Sequence, residues 1–148
     1  MGDGWYVKTY TPAADMKGRR ILLDFEGIMY VGDVYLNGKR IGGTDYGYLG
    51  FDIDVSKLLK YGQANTIAVH ASTSGPLNSR WYTGGGLYRD VKIVSTPADI
   101  YFVRHPLYVT TTDNHLVNLQ VEVANYTKQN NVKLQTVVKD PQGNIVYD

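Results

Sequence analysis

The 148-residue chain contains no cysteine, which excludes a disulfide framework and a thiolate zinc site and leaves the redox compartment open. Excess charge of one sign is also lacking: 15 basic and 14 acidic residues give a formal net charge of +1. No broad electrostatic field therefore attracts nucleic acid or an anionic membrane, and we expect neither partner. The sequence has no apolar run long enough for a membrane-spanning helix, and residues 1–5 lack the pattern of an export signal.

Phenylalanine is scarce, with 3 residues, whereas tyrosine is abundant, with 13. Tyrosine combines an apolar ring with a polar tip, so it suits half-exposed sheet faces and binding surfaces. The composition favours a β protein with a contact role. The length of the chain allows one full core and part of a second unit.

Alternation of apolar and polar residues predicts strands along the first two thirds of the chain. Ile21, Leu23 and Phe25 are expected on one face of a strand, with Leu22 and the acidic residues that follow on the other. The alternating segments are 21–26, 34–36, 51–55, 66–71 and 91–94.

Two local signals refine this pattern. Asn37-Gly38 predicts a two-residue hairpin with a type I′ turn, because both central residues must adopt positive φ. Residues 56–60 are expected to form one helical turn, with Ser56 capping its first amides and Gly62 ending it.

Pro97 marks the expected boundary between two units, since proline cannot donate to a central strand ladder. Strands are expected beyond it at residues 100–103, 115–123, 132–139 and 145–147, with a turn at 141–144. An immunoglobulin-type sandwich needs about 100 residues and about seven strands, so residues 97–148 amount to roughly half of one.

The segment from Asn78 to Val91 combines an amide, two guanidinium groups, an indole and two phenols around three consecutive glycines. Flat aromatic faces and planar donors suit a sugar, which has hydroxyls at its rim and C–H groups on its faces. The alternative reading is a glycine-rich turn whose aromatic side chains close one end of a β core.

Other candidate sites are weak. Asp24 and Glu26 could share a strand face as an acid/base pair, but solvent-face carboxylates are ordinary there. The three histidines, His70, His105 and His115, have no metal-ligand spacing, and no Lys-Ser or Lys-Thr follows the glycines as a phosphate loop requires. We expect no metal and no cofactor.

Five motifs together resemble the N-terminal sugar-binding domain of family 2 glycoside hydrolases, the β-galactosidase and β-glucuronidase group. The resemblance covers residues 5 to about 95, and residues 98–148 resemble, more weakly, the start of the immunoglobulin-like domain that follows it. The motifs are Trp5-Tyr6, Phe25-Glu26-Gly27, Val34-Tyr35-Leu36-Asn37-Gly38-Lys39, Gly47-Tyr48 before Phe51-Asp52-Ile53, and Ser79-Arg80-Trp81-Tyr82-Thr83-Gly84-Gly85-Gly86-Leu87-Tyr88-Arg89-Asp90-Val91. The implied fold is all-β, with a jelly-roll, galactose-binding-domain-like sandwich at residues 1–96 and a partial immunoglobulin-like sandwich at 97–148.

The resemblance also implies a parent enzyme whose TIM barrel carries two catalytic glutamates and retains anomeric configuration, with the two carboxyl groups about 5 Å apart. Family members place the acid/base glutamate directly after an asparagine, and this chain has no Asn-Glu dipeptide. We therefore expect no catalytic residues in this noncatalytic part, which supports the barrel and supplies a loop to the carbohydrate pocket. The alternatives are a free-standing carbohydrate-binding or adhesion module and a pure spacer.

By the same resemblance, Arg80 and Trp81, with Asn78, are expected to face the substrate. Some β-galactosidases carry a carboxylate near the position of Arg80, so the arginine leaves galactoside specificity open and favours an acidic sugar. The residues expected to hold the loop in shape are Gly84, Gly85, Gly86, Arg89 and Asp90.

Family members carry several dozen residues ahead of the Trp-Tyr motif, including early strands of the jelly roll. We expect open sheet edges here, and an exposed apolar face at Val117, Leu119, Val121 and Val123. A homodimer or a strand-exchanged assembly is the expected consequence.

Overall fold

The computed structural model describes residues 2–75, 84–112, 116–128 and 131–147. The chain divides into two compact units, Met1–Ala98 and Asp99–Asp148. Strands dominate both, and the helical structure in the described ranges is one three-residue 3-10 turn at Ala14–Met16. No helix among the described residues has the length and apolar character needed to cross a membrane.

Among the described residues, the first unit has nine strands and the second has four, numbered here in chain order. Those of the first unit are β1 (Asp3–Tyr10), β2 (Arg20–Phe25), β3 (Ile28–Met29), β4 (Val31–Leu36), β5 (Lys39–Thr44), β6 (Phe51–Asp54), β7 (Asn65–Ser72), β8 (Gly86–Leu87) and β9 (Val91–Thr96). Those of the second are β10 (Ile100–Thr112), β11 (Leu116–Asn125), β12 (Val138–Lys139) and β13 (Ile145–Tyr147).

Two antiparallel sheets form the first unit: a four-stranded sheet in the order β1-β7-β4-β5 and a three-stranded sheet in the order β6-β2-β9. A short ladder joins β3 to β8. The core comprises Ile21, Leu23, Phe25, Ile28, Val34, Leu36, Val55, Leu59, Ile67, Val69 and Ala71. The expected fold class, a jelly-roll sandwich followed by a partial immunoglobulin-like sandwich in an all-β chain, is confirmed.

Alternation explains most of this core. On β7, every second residue from Asn65 to Ala71 is buried, and on β2 Ile21, Leu23 and Phe25 pack inward as predicted. Each fully buried large side chain contributes about 1.5–3 kcal/mol. Leu22 departs from the pattern: it is only 6% exposed, so the middle strand of its sheet is covered on both faces at this point.

The hairpin prediction is confirmed. Asn37 and Gly38 have φ values of 51° and 83°, and Leu36 pairs directly with Lys39. The Asn37 side chain also accepts from the amide of Thr66 at 3.0 Å and donates to Asn65 at 2.9 Å, which fixes the turn to β7.

The prediction for residues 56–60 is only partly correct. The amides of Leu58 and Leu59 both donate to the carbonyl of Val55, yet the turn does not continue as a helix. Ser56 does not cap it, because its hydroxyl accepts from the amide of Ile21 at 2.8 Å and thereby closes the end of β2. Gly62 follows with φ at 70°, a conformation that favours glycine.

The described part of the second unit contains two antiparallel strand pairs, β10–β11 and β12–β13. Strand β10 is longer than predicted, because a bulge between Phe102 and Leu107 absorbs Pro106 and the positive φ of His105. The predicted strand at 132–139 is mostly wrong: only Val138–Lys139 pairs, since alternation makes a strand only where a neighbour supplies ladder bonds. None of the described side chains of this unit is fully buried.

Candidate functional site

Asn78, Arg80 and Trp81, the predicted substrate contacts, lie in residues 76–83, outside the described part of the chain. Their roles remain predictions. The structure does describe the residues on either side of this segment, and these determine where it is held.

The described residues on the two sides of this segment meet next to Thr73. The Thr73 amide donates to the Gly2 carbonyl at 3.0 Å, and the Gly2 amide donates to the Thr73 hydroxyl at 2.9 Å. Gly85 lies against the same residue, since a Cβ built on it would be 2.5 Å from Thr73 Cγ2. Thr73 and Gly85, which flank the segment, therefore lie in contact with each other.

Directly after this loop, the chain is tied to the core. Gly86 pairs with Met29 and Leu87 pairs with Ile28, which is fully buried. Gly86 has φ at 96°, and a Cβ there would overlap the hydroxyl of Tyr6. Gly84 has open space around it. Gly86 is therefore required by its backbone conformation, a Cβ on Gly85 would displace the Thr73 side chain, and Gly84 has neither constraint.

Tyr88 connects three segments at this end of the sandwich. Its hydroxyl donates to the Gly47 carbonyl at 2.8 Å, and its ring lies so close to Gly27 that a Cβ there would be 2.8 Å away. The guanidinium of Arg89 lies 5.0 Å from the centre of the same ring, in a cation–π position. Arg89 also donates to the Glu26 carbonyl over a long 3.5 Å.

Glu26, Asp90 and Lys92 form further contacts next to Tyr88 and Arg89. The Glu26 amide donates to the Asp90 carbonyl at 3.0 Å, and the Glu26 carboxylate pairs with Lys92. Lys92 also lies 3.5 Å from the Asp90 carboxylate. The hydrogen bond to Glu26 is the main cause that raises the pKa of Lys92. Because Glu26 is engaged in this ion pair, it is poorly suited to act with Asp24 as an acid/base pair.

Sequence reasoning named Gly84 to Gly86, Arg89 and Asp90, but it missed Tyr88 as the central contact. The available signal was Gly27, which makes room for the Tyr88 ring, and Gly47, whose carbonyl accepts the hydrogen bond of the Tyr88 hydroxyl. They stand 61 and 41 positions away in sequence, as the numbering shows, so no local pattern reveals the contact.

Among the described residues, no three His, Cys, Asp or Glu side chains come together as a metal site. His70 lies 3.9 Å from Asp3 at a sheet face, His105 lies in the β10 bulge, and His115 is outside the described ranges.

An apolar groove of about 460 Å³ runs between β1 and β9, the edge strands of the two sheets. It reaches the core at Leu23, Ile67 and Val69. Lys8 is the charged residue of its lining.

Known proteins match this chain over its whole length. A β-galactosidase of Bacteroides ovatus is 32% identical, aligned to 99% of this chain and 18% of that protein. A β-glucuronidase of Formosa agariphila is 29% identical, aligned to 98% of this chain and 17% of its own length. The crystal structure of a glycosyl hydrolase family 2 member from Bacteroides cellulosilyticus matches with a TM-score of 0.80 at 28% identity, covering 98% of this chain and 19% of that one.

This chain thus spans about a fifth of the length of these relatives. Residues 2–80, more than half of the chain, match the family model described as glycosyl hydrolase 2 galactose-binding domain-like. The resemblance carried by the sequence motifs is confirmed, and the chain belongs to the galactose-binding-like domain family of glycosyl hydrolase family 2.

Proposed function

We propose that this chain is the noncatalytic N-terminal part of a retaining family 2 glycoside hydrolase that cleaves O-glycosidic bonds of β-galactosides or β-glucuronides. It supports a TIM-barrel catalytic domain and supplies one wall of the carbohydrate pocket. The observation that carries this proposal is the arrangement of the described residues on either side of the predicted loop, where Thr73 lies against Gly85 and Tyr88 is bonded to Gly47. Anchoring of this kind lets exposed side chains meet a ligand without a large ordering cost.

Within that loop, Arg80 and Trp81, with Asn78, are the proposed sugar contacts. An indole stacks on the C–H face of a pyranose, and an amide donates to hydroxyls. A guanidinium binds a carboxylate through two parallel hydrogen bonds. Arg80 therefore favours a glucuronide over a galactoside.

We further propose that residues 1–96 and 97–148 are separate domains, in keeping with the division of the chain into two compact units. The barrel is the partner within the parent chain. For the 148-residue chain alone, the groove between β1 and β9 and the exposed residues of β10 and β11 support a homodimer or strand exchange.

The test is a tryptophan fluorescence titration of the chain with methyl β-galactoside, methyl β-glucuronide and methyl β-mannoside. It is run beside an Arg80→Ala/Trp81→Ala variant and a Tyr147→Ala control, whose exposed ring lies in the second unit. We expect no response that depends on Arg80 and Trp81 up to about 10 mM, because most of the pocket belongs to the barrel. Saturable binding below about 1 mM that is lost in the double variant would instead identify a free-standing carbohydrate-binding module.

A further inference from the structure

The outer face of the four-stranded sheet carries a band of aromatic and charged side chains that the proposed pocket does not use. We call Trp5, His70, Asp33, Tyr35 and Arg40 the sheet-face strip. Trp5 on β1 is directly opposite His70 on β7, and His70 is directly opposite Asp33 on β4. Directly opposite residues of antiparallel strands point to the same side of the sheet.

The rings of the strip form one continuous group. The ring centre of Trp5 lies 4.8 Å from that of His70 and 5.5 Å from that of Tyr35. Trp5 nevertheless remains 60% exposed. An indole that contacts two rings and still presents most of its surface to solvent offers a flat apolar face to a ligand.

A bulge brings Arg40 of β5, the fourth strand of the sheet, into the strip. The pairing of β4 with β5 shifts between Val34 and Tyr35, so Tyr35 is directly opposite Arg40 while Ile41 packs against the core. Bulges re-aim side chains in this way. The strip consequently crosses four adjacent strands, a span of about 14 Å at the usual strand spacing.

Its charges are balanced. Arg40 Nε lies 2.6 Å from Asp33 Oδ1, and His70 Nε2 lies 3.9 Å from Asp3 Oδ1. The Arg40–Asp33 pair neither attracts a polyanion nor selects a cation, but it offers donors and acceptors side by side. An uncharged polyol needs both, because each hydroxyl donates once and accepts as well.

From this combination we propose that the sheet-face strip binds a neutral oligosaccharide lying across the strands. A sugar ring stacks on Trp5 with Tyr35 beside it, and Asp33 and Arg40 bind hydroxyls of a neighbouring unit. The strands hold the side chains in place, because β1 pairs with β7 from Asp3 to Tyr10 without a break.

The experiment titrates the full 148-residue chain carrying Trp81→Phe, in which Trp5 is the remaining tryptophan, with cellotetraose, β-1,4-galactotetraose, xylotetraose and mannotetraose. Isothermal titration calorimetry is run in parallel. At least one tetrasaccharide is expected to change Trp5 emission saturably, with a Kd below about 1 mM. Trp5→Phe and Tyr35→Ala, each followed by calorimetry, should weaken binding about tenfold or more.

Two controls separate this strip from the loop. Arg80→Ala and Tyr147→Ala should each leave the Kd within about twofold. Asp33→Asn, which preserves side-chain volume, should weaken binding without lowering the unfolding temperature, so that a loss cannot be ascribed to misfolding.

Three results would overturn the proposal: no tetrasaccharide binding below about 10 mM, binding lost in Arg80→Ala but kept in Trp5→Phe, or a doubled mass in sedimentation that Trp5→Ala abolishes. The last result would mean that a second copy covers the strip.

Discussion

Gly84 and Gly86 belong to the same glycine run, but their surroundings differ. Gly84 has open space where a side chain would go, whereas Gly86 has φ at 96° and faces the Tyr6 hydroxyl. The sequence shows three equivalent glycines, and only the backbone conformation distinguishes them.

Gly86→Ala should therefore lower the free energy of unfolding by about 1–2 kcal/mol, because alanine resists a positive φ. Gly84→Ala is the matched control and should change it by less than about 0.5 kcal/mol. Urea denaturation of both variants gives the comparison, and equal effects would contradict the steric account.

Asn65 is a fully buried polar side chain of the first unit. Its oxygen accepts from the Lys60 amide and from Asn37, and its nitrogen donates to the carbonyls of Lys60 and Gln63. One amide thus joins the hairpin turn, the segment before β7 and β7 itself. Alternation predicted β7, but no local pattern indicated that its first residue satisfies backbone groups from two other segments.

Asn65→Ala should cost about 2–4 kcal/mol of unfolding free energy, since buried donors and acceptors lose their partners. Gln63→Ala removes an exposed amide from the same turn and should cost less than about 0.5 kcal/mol. Guanidinium denaturation would refute this role of Asn65 if the two variants were equally stable.

At the scale of elements, local chemistry was sufficient for the Asn37-Gly38 hairpin, because both positive φ values arise within two residues. Local chemistry was insufficient to predict the role of Ser56, because its hydroxyl accepts a hydrogen bond from the Ile21 amide, 35 residues away. Alternation also predicted a strand wrongly at residues 132–137, because a strand needs a neighbouring strand to pair with and alternation does not reveal one. Of the candidate site, the sequence named the glycines and charged residues as scaffold, which stays a prediction, and the structure added the contacts of Tyr88.

The β12–β13 turn has a built-in pH dependence. Both Asp140 oxygens accept hydrogen bonds: Oδ2 from the Asn144 side chain at 2.8 Å, and Oδ1 from the amides of Asn144 and Gln142. The Asn144 side chain is the first cause that holds the pKa of Asp140 below its ordinary value. The ionised group therefore stabilises the turn above that ordinary value, and the stabilisation is lost as pH falls through the lowered pKa.

Asn144→Ala should raise the pKa of Asp140 toward the ordinary aspartate value, whereas Gln142→Ala, which keeps its backbone amide, should leave it in place. Carboxyl carbon shifts followed by NMR from about pH 2 to pH 6 measure both variants. An unchanged midpoint in Asn144→Ala would contradict the assigned cause.

At the scale of the whole molecule, the two units differ in what they bury. The first has a core of large apolar side chains, whereas the described side chains of the second are exposed or half-buried. Phe102, Leu107, Tyr108 and Val117 are each more than half exposed. Buried apolar area sets local stability, so the two units should open with different free energies.

Hydrogen exchange measured by mass spectrometry should show β7 exchanging about a hundredfold more slowly than β11. Dilution of the protein is the control, because a homodimer that covers β10 and β11 would protect β11 only at high concentration. Equal protection of β7 and β11 at every concentration would contradict this contrast in stability.

The central claim is that the loop between Thr73 and Gly85 supplies one wall of a sugar pocket in a family 2 glycoside hydrolase. The most direct test is kcat/KM of the full-length gene product toward 4-nitrophenyl β-glucuronide and β-galactoside, for the parent, Arg80→Ala and Tyr147→Ala enzymes. We predict a fall of about tenfold to a hundredfold for Arg80→Ala, larger on the glucuronide, and no change for Tyr147→Ala. Unchanged kcat/KM for Arg80→Ala and for Trp81→Ala on both substrates would contradict the claim and leave the chain as a spacer.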